Sequence, residues 1–438
     1  MRHRDGLCLT PAMPTLPFDT SLEYAKSLDD QDVLGHFRER FAIPSANGRQ
    51  AAYLCGHSLG LMPTAARDAV AYELDRWAQL GVEGHFGEDG GWYAYHERFA
   101  SPLSTLLGTE NASVVAMNSL TANLHLMLVS FYQPKGRRRK ILIERSAFPS
   151  DRYAAQSHLR WHSADPSSDL EELDIAGLSA DTIVDLFESK LATGRDEYAL
   201  ALLPGVQFLT GQRLPMADIA DVARRHGVAI GFDLAHAVGN MPLELDRIGA
   251  DFAVWCSYKY LNAGPGAIGG CYVHHRWHDA KVPRFEGWWG HDKAQRFALD
   301  PAFRSMGTAE SWQLSNPPIL AMAPLSTSLD TFLEAGIDRL RQKSIALTGY
   351  LEQLLLSLCG DQLQILTPGN PTERGCQLSI RILLGKVTPA EFLSQLAEHG
   401  VIADWREPDI LRLAPVPLYN RFEDVFRAAN AVHRALDR

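Results

Sequence analysis

The sequence has no cysteine pattern of a disulfide framework or a metal site. None of its six cysteines belongs to a CxxC pair, and none has a spacing typical of metal ligands. Several sit in apolar runs, which is typical of reduced thiols packed in a protein core. These features favour a cytoplasmic protein without a bound metal.

Long apolar runs are also absent. Residues 1–18 carry charges but lack the apolar segment of a signal peptide, and no later stretch is long enough to cross a membrane. The prolines and glycines of residues 1–18 predict a flexible arm. We therefore expect no association with a membrane.

An excess of positive charge is missing as well. The formal net charge is −10 over 438 residues, and the longest basic run, within residues 136–140, is short. This balance argues against nucleic-acid binding, which usually requires a basic face. The chain is long enough for two domains with a large core, and we expect its partner to be a small molecule.

Two short apolar runs each lead into a charged residue. Residues 228–232 precede Asp233, and residues 252–256 precede the segment that ends at Lys259. Runs of this kind, bounded by glycine and polar residues, predict buried parallel strands. Because ligands of open α/β sheets bind at the carboxyl ends of the strands, we expect the acid and the lysine to face one crevice.

An aspartate and a lysine in one crevice suit pyridoxal phosphate (PLP). The lysine can form a Schiff base with the aldehyde, and the aspartate can keep the pyridine nitrogen protonated. Either residue alone is more simply interpreted as a solvated loop lysine or a helix-capping aspartate. Together, with His236 after Asp233 and Tyr258 beside Lys259, they favour the cofactor.

Two other motifs suggest different chemistry. Residues 56–60, GHSLG, match the GxSxG pattern of serine hydrolases, between a possible strand and a helix predicted near Pro63. No convincing acid and histidine pair follows, so a tight turn is the simpler interpretation of Ser58. Residues 264–269 match GxGxxG but do not connect a strand to a helix, which favours a glycine-rich loop over a dinucleotide site.

Strands and helices alternate through residues 140–275, which predicts parallel βαβ units. The acidic residues 163–197 are interpreted as a helix–loop insertion, and residues 317–359 as helical with a break near Pro324. A small C-terminal domain is predicted from a series of shorter elements: strand 376–383, helix 389–398, strands 401–405 and 411–414, and helix 421–436.

Several long motifs, in one order along most of the chain, resemble the kynureninase family of class-V aminotransferase-like PLP enzymes. They are NSLTANLHL (118–126), AFPSDRYA (147–154), FDLAHAVGN (232–240), WCSYKYLNAGPG (255–266), GWWGH (287–291), LSNPPI (314–319) and LRLAPVPLYN (411–420). The family's GNSLG-like motif matches residues 56–60, with His57 where asparagine is usual, and this departure leaves the role of His57 open.

The resemblance implies an α/β fold of the PLP fold type I architecture. Its large domain would hold a mainly parallel seven-stranded sheet between helices, and a small α+β C-terminal domain would follow. The implied division is an N-terminal arm and helices packed on the small domain over residues 1–48, the PLP-binding domain over 49–316, and a linking helix with the small domain over 317–438. A homodimer with its active site at the interface is also implied.

The resemblance further implies the residues that bind the cofactor. Lys259 would hold PLP covalently, Asp233 would face the pyridine nitrogen with Asp151 second to it, and Tyr258 would bind phosphate and assist proton transfer. The remaining cofactor contacts would come from a phosphate-binding pair, a stacking ring, a lining histidine and two residues acting partly across the dimer: Leu120, Thr121, Phe148, His236, Trp288 and Asn316.

Arg412 would hold the substrate α-carboxylate, although a solvated strand arginine is the alternative. His85 and Asn316 would contact the aromatic ring, which favours the 3-hydroxy substrate. The implied activity is hydrolytic Cβ–Cγ cleavage of L-kynurenine or 3-hydroxy-L-kynurenine to an anthranilate and L-alanine, in tryptophan catabolism and NAD biosynthesis. The alternatives are a cysteine desulfurase or aminotransferase of the same fold, and a non-enzymatic scaffold.

Overall fold

The computed structural model of the chain describes residues 18–46, 48–87, 91–298, 301–383 and 388–437. The flexible arm predicted over residues 1–18 therefore lies, up to residue 17, outside the described residues. Across those ranges, no helix has both the length and the apolar character needed to span a lipid bilayer.

The helices and strands are numbered in chain order. The helices are α1 (Leu22–Asp30), α2 (Ala66–Leu80), α3 (Ala100–Leu107), α4 (Leu120–Phe131), α5 (Pro149–Trp161), α6 (Pro166–Asp169), α7 (Ala180–Thr193), α8 (Met216–Arg225), α9 (Leu245–Ile248), α10 (Ile319–Ala335), α11 (Ile337–Cys359), α12 (Pro389–Glu398) and α13 (Phe422–Leu436). The strands are β1 (Ser45–Ala46), β2 (Arg49–Gln50), β3 (Ala52–Tyr53), β4 (Val114–Ala116), β5 (Lys140–Glu144), β6 (Leu170–Leu173), β7 (Tyr198–Pro204), β8 (Ala229–Asp233), β9 (Phe252–Cys256), β10 (Gly269–Val273), β11 (Leu363–Ile365), β12 (Leu378–Ile382), β13 (Val401–Ile402), β14 (Asp404–Arg406) and β15 (Ile410–Leu413).

A seven-stranded sheet in the order β4-β10-β9-β8-β7-β5-β6 forms the centre of the larger part of the chain. The strands from β9 to β6 pair in parallel, whereas β10 runs antiparallel to both of its neighbours. The mainly parallel seven-stranded sheet expected from the sequence is confirmed. Its centre lies at β8, whose last residue, Asp233, pairs with Pro204 of β7 and Val254 of β9.

Both faces of this sheet are buried, which explains the continuous apolar runs of its central strands. On β5, Ile141 and Ile143 belong to a core formed with α4 and α5, whereas Leu142 belongs to a second core that includes α7 and α8. Alternate side chains of one strand thus enter different cores, as the pleat of a strand requires. On β5 and β8 the acidic residues stand at the strand ends, where a cleft can form.

The insertion predicted over residues 163–197 is wrong in one respect. It contains β6, an edge strand of the main sheet that pairs in parallel with β5. Two of its four residues are glutamates, so the sequence shows no apolar run there. In the structure Glu171 forms ion pairs with Lys140 and Lys190 and accepts a hydrogen bond from the Tyr198 hydroxyl. An edge strand tolerates such charges because one side of it faces solvent.

The helical break predicted near Pro324 is also wrong. Helix α10 continues through Pro324, and the chain breaks at Gly336, which has a φ of 76°. Proline removes one hydrogen bond from a helix interior. Here Met322, Ala323 and Leu325 are buried around it, so packing holds the helix together.

The C-terminal part contains a four-stranded antiparallel sheet in the order β11-β12-β15-β14, with α11 and α13 sharing its core. Strand β11 was not predicted, whereas α12 has the predicted bounds. Helix α1 joins this core, and its Asp29 accepts the N–H groups of Phe422 and Glu423 at 2.7 and 3.0 Å. These bonds cap the first turn of α13 with a negative charge.

Candidate active site

Asp233 ends β8 at the centre of the sheet and lies 7% exposed. One of its carboxylate oxygens accepts the N–H of Ala235 at 2.7 Å. Burial raises the pKa of Asp233 and the charge of Lys259 opposes that rise. A buried carboxylate at a strand end, with a cation near it, is suited to pair with a positively charged group of a ligand.

Lys259 lies in the turn that follows β9, and its Nζ is 5.7 Å from the centroid of the Phe148 ring. The turn packs directly on the GHSLG segment, since the N–H of Gly60 donates to the carbonyl of Tyr258 at 2.8 Å. A Cβ at Gly60 would lie 2.2 Å from the carbonyl oxygen of Lys259. Glycine at position 60 is thus required by the close approach of two backbones.

Ser58 does not have the surroundings of a hydrolase nucleophile. Strand β3 before it has two residues, and helix α2 begins only at Ala66. The Ser58 hydroxyl donates to Asp404 at 3.2 Å, not to a histidine base. The serine-hydrolase hypothesis is therefore wrong, and the motif is a packed turn.

The 264–269 motif leads into strand β10, which agrees with the predicted loop.

Helix α5 begins at the end of β5 and carries two of the predicted residues. Phe148, before its first turn, is 40% exposed and meets the Phe208 ring edge-on. Asp151, in the first turn, is buried, and burial followed by the charge of Asp233 raises the pKa of Asp151 well above its usual range. The protonated form of Asp151 is thus favoured, whereas the charge of Lys259 and the N–H of Ala235 favour the ionised form of Asp233.

Helix α4 presents its N-terminus to the same place. Ser119 precedes the helix in an extended conformation, and no side chain caps it. The first N–H groups of a helix without a cap form a ready anion site, strengthened by the helix dipole. Leu120 and Thr121 lie in this first turn.

His236 and Tyr258 complete the group. His236 is buried, and burial, reinforced by the charge of Lys259, lowers the pKa of its ring well below the usual range. Its Nδ1 has no hydrogen-bond partner among the described residues. Burial raises the pKa of Tyr258, so its phenol stays protonated and can donate a hydrogen bond.

Eight predicted residues line one cleft with an empty volume of about 600 Å³. They are Leu120, Thr121, Phe148, Asp151, Asp233, His236, Tyr258 and Lys259. An amine, a buried carboxylate, an open aromatic face and an uncapped helix N-terminus are the groups that an aldehyde-bearing pyridine phosphate requires. The unbonded Nδ1 of His236 and Oδ1 of Asp151 leave polar groups for such a ligand, so these residues fit PLP.

The other predicted residues lie away from the lining of this cleft. Trp288 is 45% exposed and donates to the carbonyl of Arg296 at 2.9 Å, and Asn316 is exposed. The ring of His85 lies edge-on to Trp92, on a short 3₁₀-helix. One chain therefore brings together the residues around the predicted cofactor but not these three.

Arg412 is not the solvated strand arginine of the alternative interpretation, because it is 1% exposed on β15. Its Nη1 donates to the carbonyl of Phe208 at 2.8 Å, and Phe208 itself lines the cleft. Its Nε donates to Asp404 at 2.9 Å. The guanidinium thus lies beside the cleft, where the four-stranded sheet meets the turn after β7.

The sequence interpretation missed Glu144, which also lines the cleft. Glu144 ends β5 as Asp233 ends β8, so the same strand-end signal was present. It is 1% exposed and accepts the Gln207 amide at 3.3 Å, and burial raises the pKa of Glu144 to about 7.

Comparison with known proteins identifies the family of the chain. Residues 340–432 match the model of the kynureninase C-terminal domain. A kynureninase from Xanthomonas campestris pv. campestris is 48% identical over 94% of this chain and 97% of its own length. Two solved structures share the fold at 18% identity and a TM-score of 0.73. They are a C-DES variant with glycine covalently linked to its PLP cofactor (88% of this chain, 96% of that one) and a cysteine desulfurase from Escherichia coli (92% and 98%). The chain belongs to the kynureninase family of PLP-dependent hydrolases.

Proposed function

We propose that this chain cleaves the Cβ–Cγ bond of L-kynurenine and 3-hydroxy-L-kynurenine with water, releasing anthranilate or 3-hydroxyanthranilate and L-alanine. The observation that carries the proposal is the single cleft in which Lys259, Asp233 and Phe148 meet. When bound, PLP supplies an electron sink for the electrons left by the departing Cα proton.

Lys259 is proposed to attach the cofactor and, once freed by the substrate amine, to remove the Cα proton. Its side chain is half-buried and reaches over the Phe148 ring, so the amine has room to move between the two tasks. Tyr258, protonated because burial raises its pKa, is proposed to donate to the cofactor phosphate with the α4 N-terminus. It also assists proton transfer in the cleft.

The two aspartates are proposed to have unequal roles. Asp233 carries the charge that keeps the pyridine nitrogen protonated, and Asp151, whose pKa is raised by burial and by the charge of Asp233, supports it from α5. His236, neutral because burial lowers its pKa, lines the cofactor without adding positive charge. This arrangement retains the proton of the ring, on which the electron sink depends.

Arg412 is proposed to hold the α-carboxylate of the substrate. Its guanidinium is buried, planar and fixed by the Phe208 carbonyl at the edge of the cleft. A buried arginine can form two parallel bonds to a carboxylate, which selects an amino acid and orients its Cα.

Turnover is the first prediction. We expect the purified, PLP-loaded protein to release an aromatic amine and alanine from both substrates, with kcat/KM about fivefold higher for 3-hydroxykynurenine. The difference corresponds to one hydrogen bond of about 1 kcal/mol to the extra hydroxyl, made by His85 or Asn316. Separate steady-state assays of the two substrates measure this ratio. No turnover of either substrate would contradict the proposed reaction and indicate another PLP reaction on the same fold.

A homodimer is proposed as the active form. Trp288 and Asn316 are exposed on one chain and lie outside its own cleft, although the family motif places them at the cofactor phosphate. A two-fold dimer would let each chain complete the cleft of its partner.

Mixing two inactive variants tests this proposal. A Lys259→Ala chain and a Trp288→Ala, Asn316→Ala chain are each expected to be inactive. Refolding them together at equal ratio should restore about a quarter of wild-type activity, because half of the dimers are mixed and each mixed dimer has one native site. Subunit exchange followed by activity assay and sizing measures the effect. A wild-type chain refolded with the Lys259→Ala chain is the control, and no recovery would contradict shared sites.

A cysteine desulfurase, one alternative of this fold, lacks support in the described part of the chain. A cysteine desulfurase needs a reactive cysteine on a mobile loop, whereas all five cysteines within the described ranges are buried. Burial raises the pKa of Cys55 to about 12, which suppresses its thiolate. A non-enzymatic scaffold would be indicated by a colourless protein that PLP cannot reconstitute.

We also propose the domain division 1–48, 49–316 and 317–438. It is supported by the separate cores of the two sheets and by the bonds from Asp29 to the start of α13. The free, buried cysteines support a reducing, cytoplasmic location.

A further inference from the structure

His57 is a buried histidine without a hydrogen-bond partner among the described residues. It is 1% exposed, and its Nδ1 and Nε2 are both unbonded. Burial lowers the pKa of His57 to about 4, so the ring is neutral at neutral pH and has one N–H donor. Buried donors are nearly always bonded, so an unbonded one requires an explanation.

A carboxylate lies close to that ring, on Asp404 of β14. Nε2 of His57 lies 3.9 Å from Oδ1 of Asp404, just beyond hydrogen-bonding distance. The same Oδ1 already lies 2.9 Å from Nε and 2.7 Å from Nη2 of Arg412. On its other oxygen, Asp404 accepts from Ser58 and Arg406, each at 3.2 Å.

A carboxylate bound at Arg412 would disturb this pairing. A carboxylate that takes two N–H groups of Arg412 must share the guanidinium with Asp404, since Nη1 is already bonded to Phe208. Nη2 makes no hydrogen bond of good geometry, which leaves it open to an incoming anion. Asp404 would then lie near a second negative charge, and its own interaction with the Arg412 guanidinium would be weakened.

We propose that His57 is a positioning residue for substrate binding, whose Nε2–H takes over Asp404 when the α-carboxylate engages Arg412. A shift of about 1 Å closes the gap between Nε2 and Oδ1 to a normal hydrogen bond. The inference rests on the proposed function, because it takes Arg412 as the carboxylate-binding residue. It also accounts for the position left open in the sequence, since a donor at residue 57 serves this purpose.

A ligand comparison isolates the effect. L-alanine carries the α-carboxylate, whereas L-alaninamide has a neutral amide in its place. We expect calorimetric titration of the PLP-loaded protein to show that His57→Phe weakens L-alanine binding about tenfold and leaves L-alaninamide unchanged, because a bond to a charged group is lost. His57→Asn, which keeps an N–H donor, should restore most of the affinity. His57→Met replaces the phenylalanine variant if that one does not fold.

Two further variants make the result decisive. In a variant that already carries Asp404→Asn, adding His57→Phe should weaken L-alanine binding no further, because the carboxylate to which His57 would donate is already absent. His158→Phe is the matched control, because His158 is buried but bonded to His125 rather than to a carboxylate.

Equal weakening of both ligands, or no weakening of either, would overturn the role of His57. If the Arg412→Met variant still binds L-alanine in preference to L-alaninamide, the proposed role of Arg412 in binding the carboxylate is itself wrong. That outcome is distinct from a failure at His57 alone.

Discussion

Replacing Lys259 by alanine is expected to abolish turnover, lowering kcat by at least about 10³-fold. The variant loses both the attachment point of the cofactor and the base for the Cα proton. Among the described residues, no other lysine lines the cleft that holds Asp233 and Phe148. Because Lys259 is half-buried and its ammonium lies above an aromatic ring, truncation leaves the surrounding core intact.

The measurement separates chemistry from folding. Borohydride reduction of the wild-type protein should fix the cofactor to the peptide containing Lys259, seen as a mass increase, whereas the variant should bind PLP reversibly and remain unlabelled. Lys281→Ala is the matched control, since Lys281 is exposed and lies outside the cleft. Wild-type rates of anthranilate release from the Lys259→Ala variant would show that the assigned base is wrong.

The central strands could be predicted from the sequence because burial on both faces produces a simple apolar pattern. Strand β9 has the predicted bounds, Phe252–Cys256, since burial on both faces requires an unbroken apolar run. The edge strand β6 has no such apolar pattern. Its Glu171 is stabilised by Lys140, Lys190 and the Tyr198 hydroxyl, and these contacts cannot be seen in the local sequence. Pro324 likewise shows tertiary packing overriding a local signal.

The cleft was predictable to the extent that it depends on strand and helix ends. Asp233 and Lys259 were expected to meet because the carboxyl ends of parallel strands share one edge of a sheet, and they do. Asp404 is the cross-strand partner of Arg412 on β14, but the bond to the Phe208 carbonyl was not predictable, since Phe208 lies 204 residues away in the chain, in a turn after β7. Glu144 shows the opposite case, a strand-end acid that the same reasoning should have included.

Asp233→Asn is expected to lower kcat by about 10²- to 10⁴-fold, because removing one partner of a buried charge pair costs about 3–5 kcal/mol. Asparagine keeps the size of the side chain and can still accept the N–H of Ala235, which the aspartate accepts at 2.7 Å. It cannot hold a negative charge against the pyridine nitrogen. The loss should therefore appear in kcat, with folding preserved.

Asp151→Asn supplies the comparison that tests this reasoning. Burial and the charge of Asp233 raise the pKa of Asp151 and so favour its uncharged form, which an uncharged amide should replace with a change in kcat of less than about tenfold. Steady-state kinetics of both variants, with the visible absorption of bound cofactor followed across pH, measures the difference. In Asp233→Asn, the ring nitrogen should lose its proton at lower pH than in the wild type, because the stabilising charge is gone. The reverse order, with Asp151→Asn the more damaging change, would assign the charge to α5 instead of the centre of the sheet.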